Sequence, residues 1–312
     1  MKAIILNEFG DTDKLIYTDL NEPQIAADEV LIKTAAISIN PVDIKTRSGK
    51  ALAGKLKDLL PVILGWDISG TVVAIGDDVT EFKTGDEVFG MVNFPGHGKA
   101  YAEFVAAPAA HLALKPSGIT HEQAAATTLA ALTAYQAIVQ KAALKKGETI
   151  IIHAASGGVG HYAVQIAKHV GAHVTGTSSE RNREFVLELG ADEHIDYTKV
   201  SKNEWNVQAD FVLDCVGGEN LLLAATTVKP GGRFISIPSS IPPEVQEKMK
   251  QQNIHAEFFM VQSNGDDMKV LADWLANGII KPYINQFDFM QMAGAHAQQA
   301  SGRTRGKIVL SI

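Results

Sequence analysis

The stretch Thr149–Lys168, TIIIHAASGGVGHYAVQIAK, is the part of the chain from which its architecture follows. Thr149-Ile150-Ile151-Ile152-His153-Ala154 is a short β-branched apolar run, which predicts a buried parallel strand. Val159, Ala163, Ile166, Ala167 and Val170 then recur at helical spacing with no interrupting proline. Between strand and helix lies Ser156-Gly157-Gly158-Val159-Gly160, where missing β-carbons allow a tight turn and close approach by a ligand. The first N–H groups of a helix lack intrahelical partners and sit at the end of the dipole that favours negative charge, so this turn suits a pyrophosphate. The spacing is AxxGxxG, from Ala154 through Gly157 to Gly160, and departs from the GxGxxG dinucleotide fingerprint. Its weight comes from the segment beyond the helix, His173-Val174-Thr175-Gly176-Thr177, a second strand at the distance a βαβ unit requires. Ser156, Gly157, Gly158, Val159 and Gly160 are therefore expected to hold a dinucleotide cofactor.

Outward from this core, 312 residues with 46% hydrophobic content are enough for two domains with their own cores. A net charge of −7 argues against general binding to nucleic acid or to an anionic membrane. Cys215 is the single cysteine, which excludes an intrachain disulfide and a multi-cysteine metal cluster and fits a reducing compartment. The start, MKAIILNEFG, lacks a long apolar h-region, and no run of about 18 apolar residues exists to span a bilayer. A cytosolic location is the expectation.

Upstream, short strands are expected at Lys2–Leu6, Val30–Ile37, Ile68–Ile75, Glu87–Val92, Tyr101–Ala106 and His111–Leu114, divided by Gly- and Asp-rich turns. That texture predicts a β-rich, barrel-like domain over residues 1–118. Ala124–Lys141 is rich in alanine and leucine and reads as helix. Beyond the glycine turn, strands and helices alternate: helix Arg183–Leu189, strands Glu193–Tyr197 and Asp210–Val216, helix Leu221–Val228, then strands Arg233–Ile237 and Ala256–Val261. Alternation of this kind implies a doubly wound parallel sheet, expected over 119–265. Helix Met268–Asn277 and strand Gly306–Ile312 lie in a tail, 266–312, expected to return to the first domain.

Six stretches in order now carry a resemblance: Asn40-Pro41-Val42-Asp43, Gly65-Trp66-Asp67-Ile68-Ser69-Gly70, Leu132-Thr133-Ala134-Tyr135, Ala155-Ser156-Gly157-Gly158-Val159-Gly160, Leu189-Gly190-Ala191-Asp192 and Gly306-Lys307-Ile308-Val309-Leu310. Over nearly its whole length the chain resembles the zinc-independent quinone oxidoreductases of the medium-chain dehydrogenase/reductase superfamily. The resemblance implies an α/β protein with a GroES-like β-rich catalytic domain, split between the N-terminal part and the tail, and a Rossmann domain. It also implies a cofactor in the cleft between them and, by family habit, a homodimer. In the superfamily's alcohol dehydrogenases a cysteine stands where this chain has Asn40, and a Gly-His-Glu motif stands where it has Gly65-Trp66-Asp67. Zinc requires three or four Cys, His or carboxylate ligands in fixed geometry, and the ten histidines include no HxxH or HxH pair, so no metal is expected.

Without a metal, catalysis rests on placement of the cofactor. A nicotinamide hydride can pass to a quinone or to the β-carbon of an enone, because the conjugated carbonyl accommodates the developing charge. The resemblance puts Asn40 and Thr133 near the nicotinamide, Asn40 orienting its carboxamide or an acceptor carbonyl. Tyr135 is a candidate proton donor to an enolate, against a packing role, and Lys45 a candidate electrostatic partner, against a solvated one. Asp43 is expected to fix its loop, and Trp66 to wall the pocket. Cys215 is expected beside the cofactor rather than as a nucleophile.

The choice of coenzyme is read about 20 residues past the glycines, where NAD enzymes carry an acid for the ribose hydroxyls. Here stand Thr177-Ser178-Ser179, then Glu180 and Arg181. Serine hydroxyls and a guanidinium suit a 2′-phosphate, which predicts NADP(H) held by Ser178, Ser179 and Arg181 with Tyr197 nearby, although Glu180 would repel that phosphate if it pointed inward. Val216, Phe259 and Val261 are expected at the carboxyl edge of the sheet, where ligands bind in open α/β folds. Arg303, Arg305 and Lys307 read either as phosphate partners or as a solvated tail face. The expected function is NADPH-dependent reduction of quinones or α,β-unsaturated carbonyls. A zinc-free enoyl or alcohol reductase, and an NADP(H)-binding sensor or structural protein with little turnover, remain alternatives.

Overall fold

In the computed structural model of the chain, residues 1–199, 207–218 and 221–312 are described. Packing divides them into a unit of Met1–Leu132 with Gln262–Ile312 and a unit of Thr133–Val261. The first division falls beyond 118 because helix α3 (His121–Ala126) packs on strands of the first unit. The second falls before 265 because Ser263 already accepts the Phe94 N–H, at 2.9 Å, within that unit.

The first unit begins with β1 (Lys2–Leu6), β2 (Leu15–Asp19), β3 (Glu29–Ile39), α1 (Pro41–Arg47), α2 (Ala53–Leu56), β4 (Val62–Ile63), β5 (Asp67–Ile75), β6 (Glu87–Met91), β7 (Phe104–Pro108) and β8 (Leu112–Leu114), followed by α3; the division falls within α4 (Leu129–Tyr135). The second unit holds β9 (Thr149–Ile152), α5 (Gly158–Val170), β10 (His173–Ser178), α6 (Arg183–Glu188), β11 (Glu193–Asp196), β12 (Ala209–Asp214), α7 (Leu221–Thr226), β13 (Val228–Ser236), α8 (Pro243–Gln251) and β14 (His255–Phe258). The chain then returns to the first unit with α9 (Gly265–Ala276), β15 (Ile284–Asp288), α10 (Met292–Ala300) and β16 (Lys307–Ser311).

Among the described residues, the second unit carries a six-stranded sheet in the order β11-β10-β9-β12-β13-β14, parallel throughout. This is the doubly wound order of a dinucleotide-binding fold, and the strand order reverses at β9 and β12. Ile151, Val212 and Phe234 meet Leu221 of α7 and Val245 and Met249 of α8 in a buried cluster. In the first unit, β15-β16-β3-β5-β6-β8 form one sheet with β7 also on β3, and β2-β1-β4 form another. Ile4, Leu6, Ile32, Ile37, Ile68 and Leu310 are buried together there. The α/β class and both domain types match the expectation.

Several local expectations are corrected. The helix expected over Ala124–Lys141 is broken into α3, α4 and a π-helical segment, Gln136–Lys141. Thr127 and Thr128 interrupt it, their hydroxyls donating to the carbonyls of Gln123 at 2.8 Å and Ala125 at 2.9 Å. The strand expected from Tyr101 starts at Phe104 instead, since the Tyr101 N–H donates to Leu64 O and Ala102 bridges to Ala3. Between the strands ending near Ile237 and starting near Ala256 lies α8, whose only buried side chains are Val245 and Met249, too thin a periodic signal to read. Strands β2 and β15 and helix α10 were not anticipated either.

Candidate active site

The glycine turn is built as the sequence predicts. Strand β9 stops at Ile152, Ala154 takes a left-handed conformation with φ 49°, and α5 starts at Gly158 with Gly157 as its N-cap. A β-carbon on Gly160 would overlap the carbonyl oxygen of Ala154 and sit 2.8 Å from the Ala155 Cα, so no side chain fits. One on Gly157 would lie 3.2 Å from the Ala154 oxygen, a milder crowding. The first turn of α5 thus runs hard against the end of β9, leaving its N–H groups at the reversal point of the sheet. Val159 is half-buried and Ser156 buried.

Asp214 ties the carboxyl edge of this sheet together. Its carboxylate meets His153 Nδ1 at 3.2 Å and accepts the N–H groups of Val216 at 3.1 Å and Gly217 at 3.1 Å, and the Ser236 hydroxyl at 3.0 Å. Ser236 O in turn accepts the Phe259 N–H at 2.9 Å. Residues following β9, β12 and β14 are therefore held in one network, and Val216, 47% exposed, stands at its open side. Val261 is buried and Phe259 half-buried. Burial opposes ionisation of Asp214, and the His153 and backbone bonds overcome it, holding the carboxyl below its ordinary value. His153 and Asp214 were missed from sequence; the available signal was an acid ending a strand just before Gly217-Gly218. Cys215 is half-buried, and burial, aided by Asp214, pushes its thiol pKa well up.

At the end of β10, Ser178 turns inward, its hydroxyl 2.7 Å from His194 Nε2. Ser179 is half-buried, while Arg181 and Tyr197 are exposed. Asn182 joins this segment to the glycine turn, donating to Ser156 Oγ at 3.0 Å and reaching Ser179 Oγ at 3.5 Å. Glu180 pairs with Lys199 at 3.2 Å. Thr133 is buried and Tyr135 half-buried at the end of α4.

In the first unit, Asn40 is 1% exposed and immediately precedes α1, whereas Lys45 lies on the exposed side of that helix. The Asn40 amide donates from Nδ2 to Asp67 Oδ2 at 2.7 Å, and its Oδ1 accepts from Lys307 Nζ. Asp67 also accepts the Ser38 hydroxyl and the Leu129 N–H. Lys307 is thus not on a solvated tail face. Trp66 is fully buried, donating to Gly96 O at 2.9 Å and meeting Phe94 edge-on at 5.5 Å.

Asp43 accepts the Asn40 N–H at 2.6 Å and so fixes the start of α1. Burial pushes its pKa from 3.8 up to about 7, with the Asn40 bond and Lys307 opposing the rise and Asp67 adding to it. The folded protein then holds this proton more tightly than the unfolded chain, so the contribution is fully present below about pH 4 and is lost as pH rises through about 7. Asp43→Asn, which keeps an acceptor and removes the charge, is expected to flatten that loss. Relative to wild type it gains roughly 1–3 kcal/mol between about pH 5 and pH 8 in thermal unfolding, and parallel curves would refute the assignment.

Residues 26–117 match the alcohol dehydrogenase GroES-like domain family, and residues 189–310 the zinc-binding dehydrogenase family. A 2-methylene-furan-3-one reductase of Solanum lycopersicum is 35% identical over 99% of this chain and 79% of its own length. An NADPH-dependent alkenal/one oxidoreductase, chloroplastic, of Arabidopsis thaliana is 34% identical over 99% of this chain and 79% of its own. The solved structure of the quinone oxidoreductase from Coxiella burnetii superposes with a TM-score of 0.93 at 36% identity, covering 100% of this chain and 99% of that one.

Proposed function

We infer the function from the family: the chain belongs to the quinone oxidoreductases of the medium-chain dehydrogenase/reductase superfamily, and it acts as an NADPH-dependent reductase of quinones or α,β-unsaturated carbonyls. The observation that carries this reading is the glycine turn, where a β-carbon at Gly160 would collide with backbone at the reversal point of a doubly wound sheet. Such a turn suits the pyrophosphate of a dinucleotide.

NADPH bound there supplies a hydride. The chain's own part is to bind and orient. N–H groups of Ser156, Gly158, Val159 and Gly160 take the pyrophosphate beside Gly157, whose own N–H is held by Ala154 O at 2.8 Å, and Ser179, Arg181 and Tyr197 take the 2′-phosphate, with Ser178 shaping that segment through His194. Asn40 and Thr133 are assigned to the nicotinamide end, and Val216, Phe259 and Val261 to the carboxyl edge. Tyr135 and Lys45 are the candidates for supplying a proton or charge to the reduced acceptor.

The reaction is assigned no metal. Support comes from the donor set: Asn40 offers an amide, Asp67 is already committed to Ser38, Asn40 and Lys307, and among the described residues no group of three or more His, Cys, Asp or Glu could hold an ion. No helix among the described residues is long and apolar enough to cross a membrane, and a cytosolic location is supported by the lone free cysteine. A homodimer is supported by the outer edge of β14, near which Phe258 and Met260 are each 39% exposed.

Arg181→Ala tests the coenzyme assignment. Loss of one charge-assisted phosphate contact should weaken NADPH roughly 10- to 100-fold while NADH is unchanged. Equal effects on both coenzymes in a binding titration would remove Arg181 from the 2′-phosphate site.

A further inference from the structure

Strand pairing brings three distant residues together in the first unit. Ile308 of β16 lies opposite Ile39 of β3, and Ser38 of β3 opposite Asp67 of β5. Lys307, one residue before Ile308, therefore arrives beside Asn40, one residue after Ile39, with Asp67 on the other flank. Among the described residues Lys307 is the buried lysine, 2% exposed. Burying an ammonium is costly unless each of its hydrogens finds an acceptor. Here Nζ meets Ile39 O at 3.0 Å, Asn40 Oδ1 at 2.5 Å and Asp67 Oδ2 at 3.5 Å.

The amide stands between the two charges. Its bonds, 2.5 Å to Lys307 and 2.7 Å to Asp67, are shorter than the direct ion contact at 3.5 Å, so the pair is directed at Asn40 rather than at itself. An ammonium can only donate and a carboxylate can only accept. Turning the amide over would set its NH2 against Lys307 and its carbonyl oxygen against Asp67, two repulsions in a site closed to water. One Nδ2 hydrogen and one Oδ1 lone pair remain, each in a set direction.

We propose that Lys307 is a positioning residue for the reaction, fixing with Asp67 which end of the Asn40 amide donates and which accepts. This rests on the assignment of Asn40 to the nicotinamide end. Lys307 acts only through Asn40, so its contribution vanishes when the amide is gone.

The test is a cycle of Asn40→Ala, Lys307→Met and the double variant, read in kcat, KM and NADPH affinity. Asn40→Ala should lower kcat about 100-fold, as loss of one oriented donor does. Lys307→Met should lower it roughly tenfold with NADPH affinity retained, and the double variant should be no slower than Asn40→Ala. In 15N-labelled protein without coenzyme, the Asn40 NH2 pair, assigned by its absence from Asn40→Ala, should show two distinct, slowly exchanging protons, and Lys307→Met should abolish that protection. Effects that multiply in the double variant, or an NH2 pair unchanged by Lys307→Met, would overturn the positioning role. Undiminished kcat in Asn40→Ala would instead remove Asn40 from the reaction, and the proposal with it. Should Lys307→Met not fold, Lys307→Met/Asp67→Asn, which removes both charges, goes through the same cycle with the same expected non-additivity, and multiplied effects overturn it equally.

Discussion

Gly160→Val is expected to weaken NADPH binding roughly 10- to 100-fold, the range that forcing extra carbons into a close-packed site produces. The first added carbon already overlaps the Ala154 carbonyl oxygen and lies 2.8 Å from the Ala155 Cα, and both are backbone atoms that cannot swing aside. Either α5 moves away from β9 or the end of β9 shifts; both displace the N–H groups proposed to take the pyrophosphate. Gly157→Ala is the control, because its β-carbon would stand 3.2 Å from the same oxygen and needs only a few tenths of an ångström of relief. Its φ of −85° is open to any residue. Fluorescence titration with NADPH, beside thermal unfolding without it, separates loss of the site from loss of the fold. Wild-type affinity in Gly160→Val would disconnect this turn from coenzyme binding.

Lys307→Met is expected to lower stability by about 3–5 kcal/mol, because it strips Asp67 of the cation beside it inside the first unit. Asp67 is fully buried, and its other partners, the Ser38 hydroxyl, the Asn40 amide and the Leu129 N–H, are neutral donors. Removing both charges in Lys307→Met/Asp67→Asn should restore most of the loss, since a buried pair contributes little net stability while half of one is strongly unfavourable. Denaturant unfolding of the two variants checks this. Equal destabilisation by both would mean that packing around Lys307, not its charge, supports β16. The same comparison bears on function: a stable double variant with low turnover separates the need for an oriented amide from the need for a folded domain.

Three of the six stretches that carry the family resemblance, around Asn40, Asp67 and Lys307, converge in this cluster. In the sequence they are separate, and Lys307 reads as one of several basic residues near the end of the chain. Nothing in its immediate neighbours, Gly306 and Ile308, distinguishes a buried ammonium from a solvated one; that depends on β16 inserting beside β3. Asp214 is a similar case. Its position at the end of an apolar strand was legible, but not that it would gather His153 after β9 and Ser236 of β13, because parallel strands adjacent in a sheet need not be adjacent in the chain.

Local and periodic features were determined by the sequence alone. The β-branched run before Ser156, the helical spacing after Gly157 and the strand at His173 fix a βαβ unit by short-range geometry, and repetition of that alternation implies a parallel doubly wound sheet. The glycines of the turn declare a close backbone approach because no other residue tolerates it. Tertiary structure decided everything that depends on pairing across the chain: that Ser178 faces His194, that Glu180 is held by Lys199, and that the Asn40 amide lies between Asp67 and Lys307. Burial, charge compensation and hydrogen-bond polarity are properties of neighbours in space, and register between strands far apart in sequence sets them.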